Sequence, residues 1–389
     1  MIKKVVNLTE KLKSELIEIS EYIFNNPELG YEEYKACKVH MDLLKRHGFT
    51  VEEKYMNFKT AFKAVFDSGR KGPTIAYLSE YDALPQIGHG CGHNILGVVS
   101  SGAGIILSKL ISDLGGKVIV FGTPAEEIGG AKVKMAANGA FNDVDVAMEA
   151  HPAGNYYKSG SFLAMESIKF IYKGKSAHAA SEPEKGINAL DAAINTFNNI
   201  NALRQHIASD ARIHGIITEG GKAPNIVPEL AVTEFYVRAA KKSYVKELVK
   251  KVEDCAKGAA LGAGAKLEII NDEVPYYDMI TNKTLSDIYC KMSNGMGVEE
   301  INEPKQGYGS SDVGNVSYVC PAIHPYFKIS DKDVVAHTVE FAEATCRPTA
   351  YEGMCKAIGT LVLTGVEIIK NEDLLNKIKE EFNKNSLTI

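Results

Sequence analysis

Between residues 60 and 150 short β-branched runs alternate with helical stretches, and this order constrains the fold more than any other feature of the chain. TAFKAVF, TIAYLSE, KVIVFGT and VDVAMEA are the runs; the helix-like NILGVVSSGAGIILSKLI and a second helical stretch lie between the later ones. Strand, helix, strand, helix, strand implies a parallel sheet, because parallel neighbours need a long crossover between them. Ligands of such sheets bind just beyond the carboxyl ends of the strands. The informative residues are therefore those that follow each run.

Several of these are ligand types. HGCGHN places Cys91 and His93 two apart before a helix, with glycines at 88, 90 and 92 that let the backbone bend sharply. Thiolate and imidazole both suit zinc-like ions, although a lone Cys-x-His more often marks a tight turn with a buried cysteine. KVIVFGTPAEEIGG sets Glu126 and Glu127 side by side directly after a strand. Their charges repel unless a cation compensates, and adjacent side chains can point apart, one to metal and one to substrate. On its own the pair would read as a solvated acidic loop.

VDVAMEAHP ends in Glu149 and His151, and LSEYDALP supplies Asp82, which could accept a hydrogen bond from a ligating imidazole. Each of these residues alone has an ordinary structural explanation. Successive strand ends delivering ligand types to one sheet edge do not. Asp312, His324 and His337 are the polar candidates further on, and one of the two histidines is expected to close a dinuclear site.

The 389 residues exceed what one hydrophobic core usually supports. Two helices lead, with Leu12, Leu16, Ile19 and Ile23 on one face of the first, and Ala36, Val39, Leu43 and Leu44 on the second, which Gly48 caps. From Ser167 to Tyr277 the order becomes SIKFIYKG, EKGINALDAAINTFNNINALRQHI, RIHGIITEG, ELAVTEFYVRA, SYVKELVKKVEDCAKGAA and KLEIINDEV, a βαββαβ module. The expected fold class is α/β: a catalytic domain of residues 1–166 and 278–389 with a mainly parallel sheet, interrupted by an α+β ferredoxin-like domain over 167–277.

The 44 basic and 49 acidic residues leave a net charge of −5, with no basic cluster interleaved with aromatics, so no nucleic-acid partner is expected. The N-terminus lacks the apolar core of a signal peptide, and no stretch reads as long and apolar enough to span a bilayer, so no membrane partner is expected either. Seven cysteines without Cys-x-x-Cys spacing fit a reducing compartment, and the expected location is cytoplasmic.

Taken together, DALP, HGCGHN, PAEE, AHP, GKSAHAA, APNIVP, GSSDVGNVS and AHTVEF occur in one order across nearly the whole chain. In this the sequence resembles the dinuclear zinc peptidase/amidohydrolase family, in the branch of the aminoacylases, carboxypeptidase G, and the indoleacetyl-amino-acid and p-aminobenzoyl-glutamate hydrolases. The resemblance implies a zinc-peptidase-like catalytic domain with a lid/dimerisation domain inserted in it. It further implies hydrolysis of an amide bond in a small N-acyl amino acid or dipeptide by metal-activated water.

Carried over position by position, the resemblance makes Cys91, His93, Glu127, His151 and His337 the ligands of two divalent ions. Zinc is the expected metal, with manganese, cobalt and nickel open. Glu126 becomes the general base, and Asp82 supports the site from behind. Where other branches carry a ligating histidine two residues before that aspartate, this chain has Glu80. His214 matches a position that reaches a partner's active site and stabilises the oxyanion, and Asn225 and Arg238 match positions that hold a substrate carboxylate. His178 is read as adjacent to the site. The lid implies a homodimer or higher homo-oligomer. Two rival readings remain open: a metal-independent hydrolase with Cys91 as nucleophile, activated by His93 or His151, and a non-catalytic binding protein.

Overall fold

The computed structural model describes residues 1–271, 273–304 and 309–386. The chain divides into two compact units. Met1–Ser161 and most of the chain after Met279 form one; Phe162–Asp278 forms the body of the other.

The first unit is built on a six-stranded sheet in the order Thr50–Glu53, Phe62–Asp67, Lys117–Gly122, Thr74–Ser79, Val146–Met148, Ala322–Ile323. Lys117–Gly122, Thr74–Ser79, Val146–Met148 and Ala322–Ile323 run parallel. The other edge is antiparallel: TAFKAVF pairs with KVIVFG in opposite sense and with Thr50–Glu53 in a hairpin. The sheet is thus mixed and mainly parallel. The antiparallel edge follows from two short connections, 54–61 and 68–73, neither of which holds a crossover helix.

The helix His93–Leu114 is buried along nearly its whole length. Contrary to the sequence expectation, it is long and apolar enough to cross a membrane by length and composition. Its burial between the sheet and the helices Ile2–Phe24 and Pro348–Lys370 accounts for that composition, as a helix apolar all round belongs in a core. The first helix runs Ile2–Phe24, beginning earlier than its repeat at Leu12 shows, and buries Val5 as well as Leu12, Leu16, Ile19 and Ile23.

The helix Tyr34–Arg46 buries Ala36, Leu43 and Leu44 as expected, leaves Val39 partly buried, and also buries His40. The His40 ring sits beside Tyr81 and Phe62, and its Nδ1 lies 2.9 Å from Ser101 Oγ. Burial lowers its pKa from the ordinary histidine value to about 3.

The second unit is a four-stranded antiparallel sheet ordered Lys266–Ile270, Ala164–Lys173, Leu230–Ala239, Arg212–Glu219. The helices Ala189–Leu203 and Lys242–Ala263 cover one face. This is the βαββαβ order read from the sequence; Asp272, in the last expected strand, lies outside the described residues.

Because folded His40 stays neutral while the unfolded chain takes up a proton below about pH 6.5, its contribution to stability is complete above that pH and is lost as pH falls towards 3. The fall in urea midpoint between pH 7.5 and pH 5 is expected to be smaller in His40→Gln than in wild type. Equal falls would show that His40 contributes nothing to the acid sensitivity.

Candidate metal centre

Three parallel strands end at one edge of the first unit's sheet, and the turns that follow them carry the site. After Thr74–Ser79 come Glu80 and Asp82, both fully buried. The chain then enters the helix His93–Leu114 through Gly92, whose φ of +79° and contact with Pro152 leave no room for a Cβ. Cys91 lies in that turn, and His93 is the first helical residue. After Lys117–Gly122 the turn passes through Ala125, a non-glycine residue at φ +61°, a conformation that costs about 1–3 kcal/mol. Glu126 and Glu127 follow. His151 opens a short strand beyond Val146–Met148, paired with Tyr326–Lys328.

Asp82 joins two of these turns. Its Oδ1 accepts from His93 Nδ1 at 3.0 Å, and its Oδ2 accepts from the Glu127 backbone N–H at 2.9 Å. His151 is held similarly, its Nδ1 donating to the Pro152 carbonyl at 2.8 Å. With both Nδ1 atoms occupied, each imidazole presents Nε2 inwards, the arrangement that orients metal-binding histidines. Cys91 Sγ lies 3.6 Å from His151 Nε2, and His337 Nε2 lies 3.6 Å from Glu127 Oε2.

One donor atom from each of Cys91, His93 and His151 falls within a common 4.8 Å; so do those of Cys91, Glu127 and His337, and those of His93, Glu126 and Glu127. Cys91, His93 and Glu127 each belong to two of these groups, as expected if two neighbouring cations share a ligand set. Glu127 Oε1 is buried without a hydrogen-bond partner, and His93 Nε2 faces Glu80 Oε2 at 3.1 Å. Buried polar atoms without partners are rare, and Glu127 Oε1 is one that a divalent ion would satisfy. The residues therefore fit a pair of divalent ions in both donor type and convergence.

The two C-terminal histidines differ in placement. His337 has φ +66°, donates its backbone N–H to Gly90 O at 2.8 Å, and reaches the Cys91–Glu127 side. His324 Nε2 instead lies 3.1 Å from Glu149 Oε1, with its ring 5.3 Å from that of His151.

Beneath the cluster is a cation that sequence reading missed. Lys132, on the short helix Ala131–Ala137, is fully buried, its Nζ 2.6 Å from Glu80 Oε1 and 2.7 Å from Asp312 Oδ1. Burial disfavours its charge, but Asp312 and Glu80 outweigh that and keep it protonated. Glu80 Oε2 in turn lies 3.1 Å from His93 Nε2. Burial would lower the His93 pKa, yet Glu80 and Asp82 raise it well above the ordinary value. Burial, with the charges of Glu80, Glu127 and Asp312, pushes Glu126 well above the ordinary carboxylate range.

The cysteine-nucleophile reading requires a thiolate stabilised by an imidazolium. Burial and the Glu127 charge drive the Cys91 thiol upwards instead, and burial with the nearby His324 lowers His151 to about 3. The His93 ring, the remaining partner, is engaged by Asp82 and Glu80. That reading is disfavoured.

The residues expected to hold substrate lie in the second unit. His214 and Arg238 both contact the Tyr236 ring on the sheet face away from the helices. Asn225 is exposed, and its carbonyl accepts from Ala179 N–H, which joins the APNIVP loop to the loop of the exposed His178.

Comparison with known proteins places the chain. A model described as a peptidase dimerisation domain, of the M20 type, matches residues 164–263. A mouse Xaa-Arg dipeptidase is 36% identical over 94% of this chain and 88% of its own length. The chain belongs to the M20 peptidase family. A p-aminobenzoyl-glutamate hydrolase component from Escherichia coli is 28% identical, covering 94% of this chain and 91% of that protein. Among solved structures, an aminobenzoyl-glutamate utilization protein from Klebsiella pneumoniae superimposes with a TM-score of 0.75 at 20% identity, covering 93% of this chain and 97% of that one. A dinuclear metal-binding M20 peptidase from Bacillus subtilis gives 0.69 at 21% identity, covering 92% and 99%. As an M20 member the chain is a hydrolase of amide or peptide bonds.

Removing Lys132 leaves Glu80 and Asp312 buried without their cation. Lys132→Met is expected to cost about 3–5 kcal/mol, read as a lowered urea midpoint. An unchanged midpoint would show that the ion cluster does not stabilise this M20 fold.

Proposed function

We propose that this M20 hydrolase cleaves the amide bond of a small dipeptide or N-acyl amino acid, with Glu126 as general base and acid beside two divalent ions held by Cys91, His93, Glu127, His151 and His337. The observation that carries the reading is the setting of the adjacent glutamates, which both approach His93 but otherwise meet different groups. Glu127 is tied through its backbone to Asp82 and faces Cys91 and His337, while Glu126 occupies the space between His93 and the Glu80–Asp312 pair. Thiolate and imidazole donors favour zinc among the candidate metals. When bound, the ions supply Lewis acidity, polarising the carbonyl and making water acidic near pH 7 rather than about 15.7.

The protein's own groups do the rest. A Glu126 carboxylate oxygen takes the proton of the attacking water and delivers it to the amide nitrogen as the C–N bond breaks. The same carboxylate serves both halves of that exchange, since the oxygen that accepts the proton from water gives it up to the departing nitrogen. Asp82 holds the His93 ring by Nδ1 and so turns Nε2 towards the cluster.

For the substrate, dipeptides ending in a basic residue are the first class to test, because the dipeptidase relative is named for C-terminal arginine. N-acyl amino acids and aminobenzoyl-glutamate come next. Asn225 and Arg238 would hold the substrate carboxylate, and His214 of a second copy would stabilise the oxyanion; the dimerisation-domain match supports such an oligomer. The seven free cysteines fit a reducing, cytoplasmic setting.

Glu126→Gln is expected to lower kcat by at least about 10²–10⁴-fold while metal content measured by elemental analysis stays at the wild-type level. Glu127→Gln is expected to lose metal. Equal metal loss in both variants would show that the roles are wrongly divided.

A further inference from the structure

The turn that carries Glu126 is secured from outside the sheet edge. Ala125, which sets the direction of Glu126, is fully buried and holds a left-handed φ of +61° that favours glycine. Its backbone N–H donates to Glu33 Oε1 at 2.8 Å, across 92 residues of sequence. Glu33 stands just before the helix Tyr34–Arg46, is fully buried, and has its second oxygen fixed by Thr60 Oγ1 at 2.8 Å.

The residues before Glu33 follow the same turn. A Cβ on Gly30 would lie 3.0 Å from the Ala125 Cβ, so the loop packs directly on Ala125. Tyr31 Oη donates to Gly129 O at 3.0 Å, beyond the two glutamates. Glu28 O accepts from Ala83 N–H at 2.9 Å, next to Asp82. One segment thus grips both the Asp82 turn and the Glu126–Glu127 turn.

We infer that Glu33 is a positioning residue for the general base: by accepting the Ala125 N–H it holds the left-handed turn from which Glu126 enters the site. The inference rests on Glu126 being the base. Glu33 touches no reacting atom. What it supplies is an acceptor at one point, not a charge at the site. Burial together with the Asp82 charge pushes Glu33 up to about 7, so a neutral amide oxygen is a fair substitute near neutral pH.

The test compares Glu33→Leu, which removes the acceptor, with Glu33→Gln, which keeps it, using metal-loaded enzyme and the best substrate of the panel. Glu33→Leu is expected to lower kcat about 10–100-fold, with KM within about twofold and wild-type metal content. Glu33→Gln is expected to stay within about threefold of wild type. Should Glu33→Leu fail to fold, Thr60→Val loosens the same carboxyl group and is expected to lower kcat severalfold with KM unchanged.

Wild-type kcat in folded Glu33→Leu, or in Thr60→Val where Glu33→Leu does not fold, overturns the inference. So does a Glu33→Gln as impaired as Glu33→Leu, or a loss confined to KM or metal content. Glu126→Gln assayed in parallel separates the two readings. An inactive Glu126→Gln beside a fully active Glu33→Leu removes the positioning role and leaves the base; an active Glu126→Gln removes both.

Discussion

The site depends on one carboxylate. Asp82 accepts the His93 ring proton with one oxygen and the Glu127 backbone N–H with the other. A single buried side chain thereby fixes the tautomer and aim of a histidine on one turn and the position of a glutamate on the next. Both turns follow parallel strands, so their spacing is set by the sheet. The parallel sheet matters to function for this reason: it delivers three chain reversals to one edge at a fixed separation, and Asp82 locks two of them together.

The second constraint is charge. Glu80, Glu126, Glu127, Glu149 and Asp312 gather near one another, and Lys132 is the cation clasped directly between two of them. Carboxylates in low dielectric raise one another's proton affinity unless cations intervene. Lys132 neutralises the inner part of the cluster, around Glu80 and Asp312. The outer part, around Glu127 and Cys91, has no such fixed ammonium among the described residues, and there the sulfur and imidazole donors converge. The division fits an acidic site that is half neutralised by the protein and half left for mobile cations. It also explains how Glu80 is accommodated in the interior: one oxygen is bonded to Lys132, and the other faces His93.

Much of this was legible in the sequence because its signals are local. A run of β-branched residues followed closely by Asp82, Glu126 or His151 states both the strand and what its end carries. The βαββαβ order of the second unit is equally local. The illegible parts depend on contacts between distant segments. Lys132 sits 52 residues from Glu80 and 180 from Asp312, on a short helix that also carries the exposed Lys134; in the sequence the two lysines look alike. Glu33 is one of two adjacent glutamates before a helix, and nothing nearby signals that it reaches Ala125. The antiparallel sheet edge was missed because strand runs show their length but not their direction. The apolar composition of His93–Leu114 was underestimated because its glycines and serines, which let it pack closely in the core, interrupt the run of large apolar residues.

The central claim is that Cys91, His93, Glu127, His151 and His337 cage two cations at this sheet edge. Anomalous diffraction from crystals of zinc-loaded protein, collected above and below the metal absorption edge, tests it directly. The account predicts two adjacent peaks within about 2.0–2.3 Å of these side chains' donor atoms, with Glu126 beside them and unbonded to either. Peaks placed elsewhere, or none at this edge in protein that turns over substrate, would contradict it.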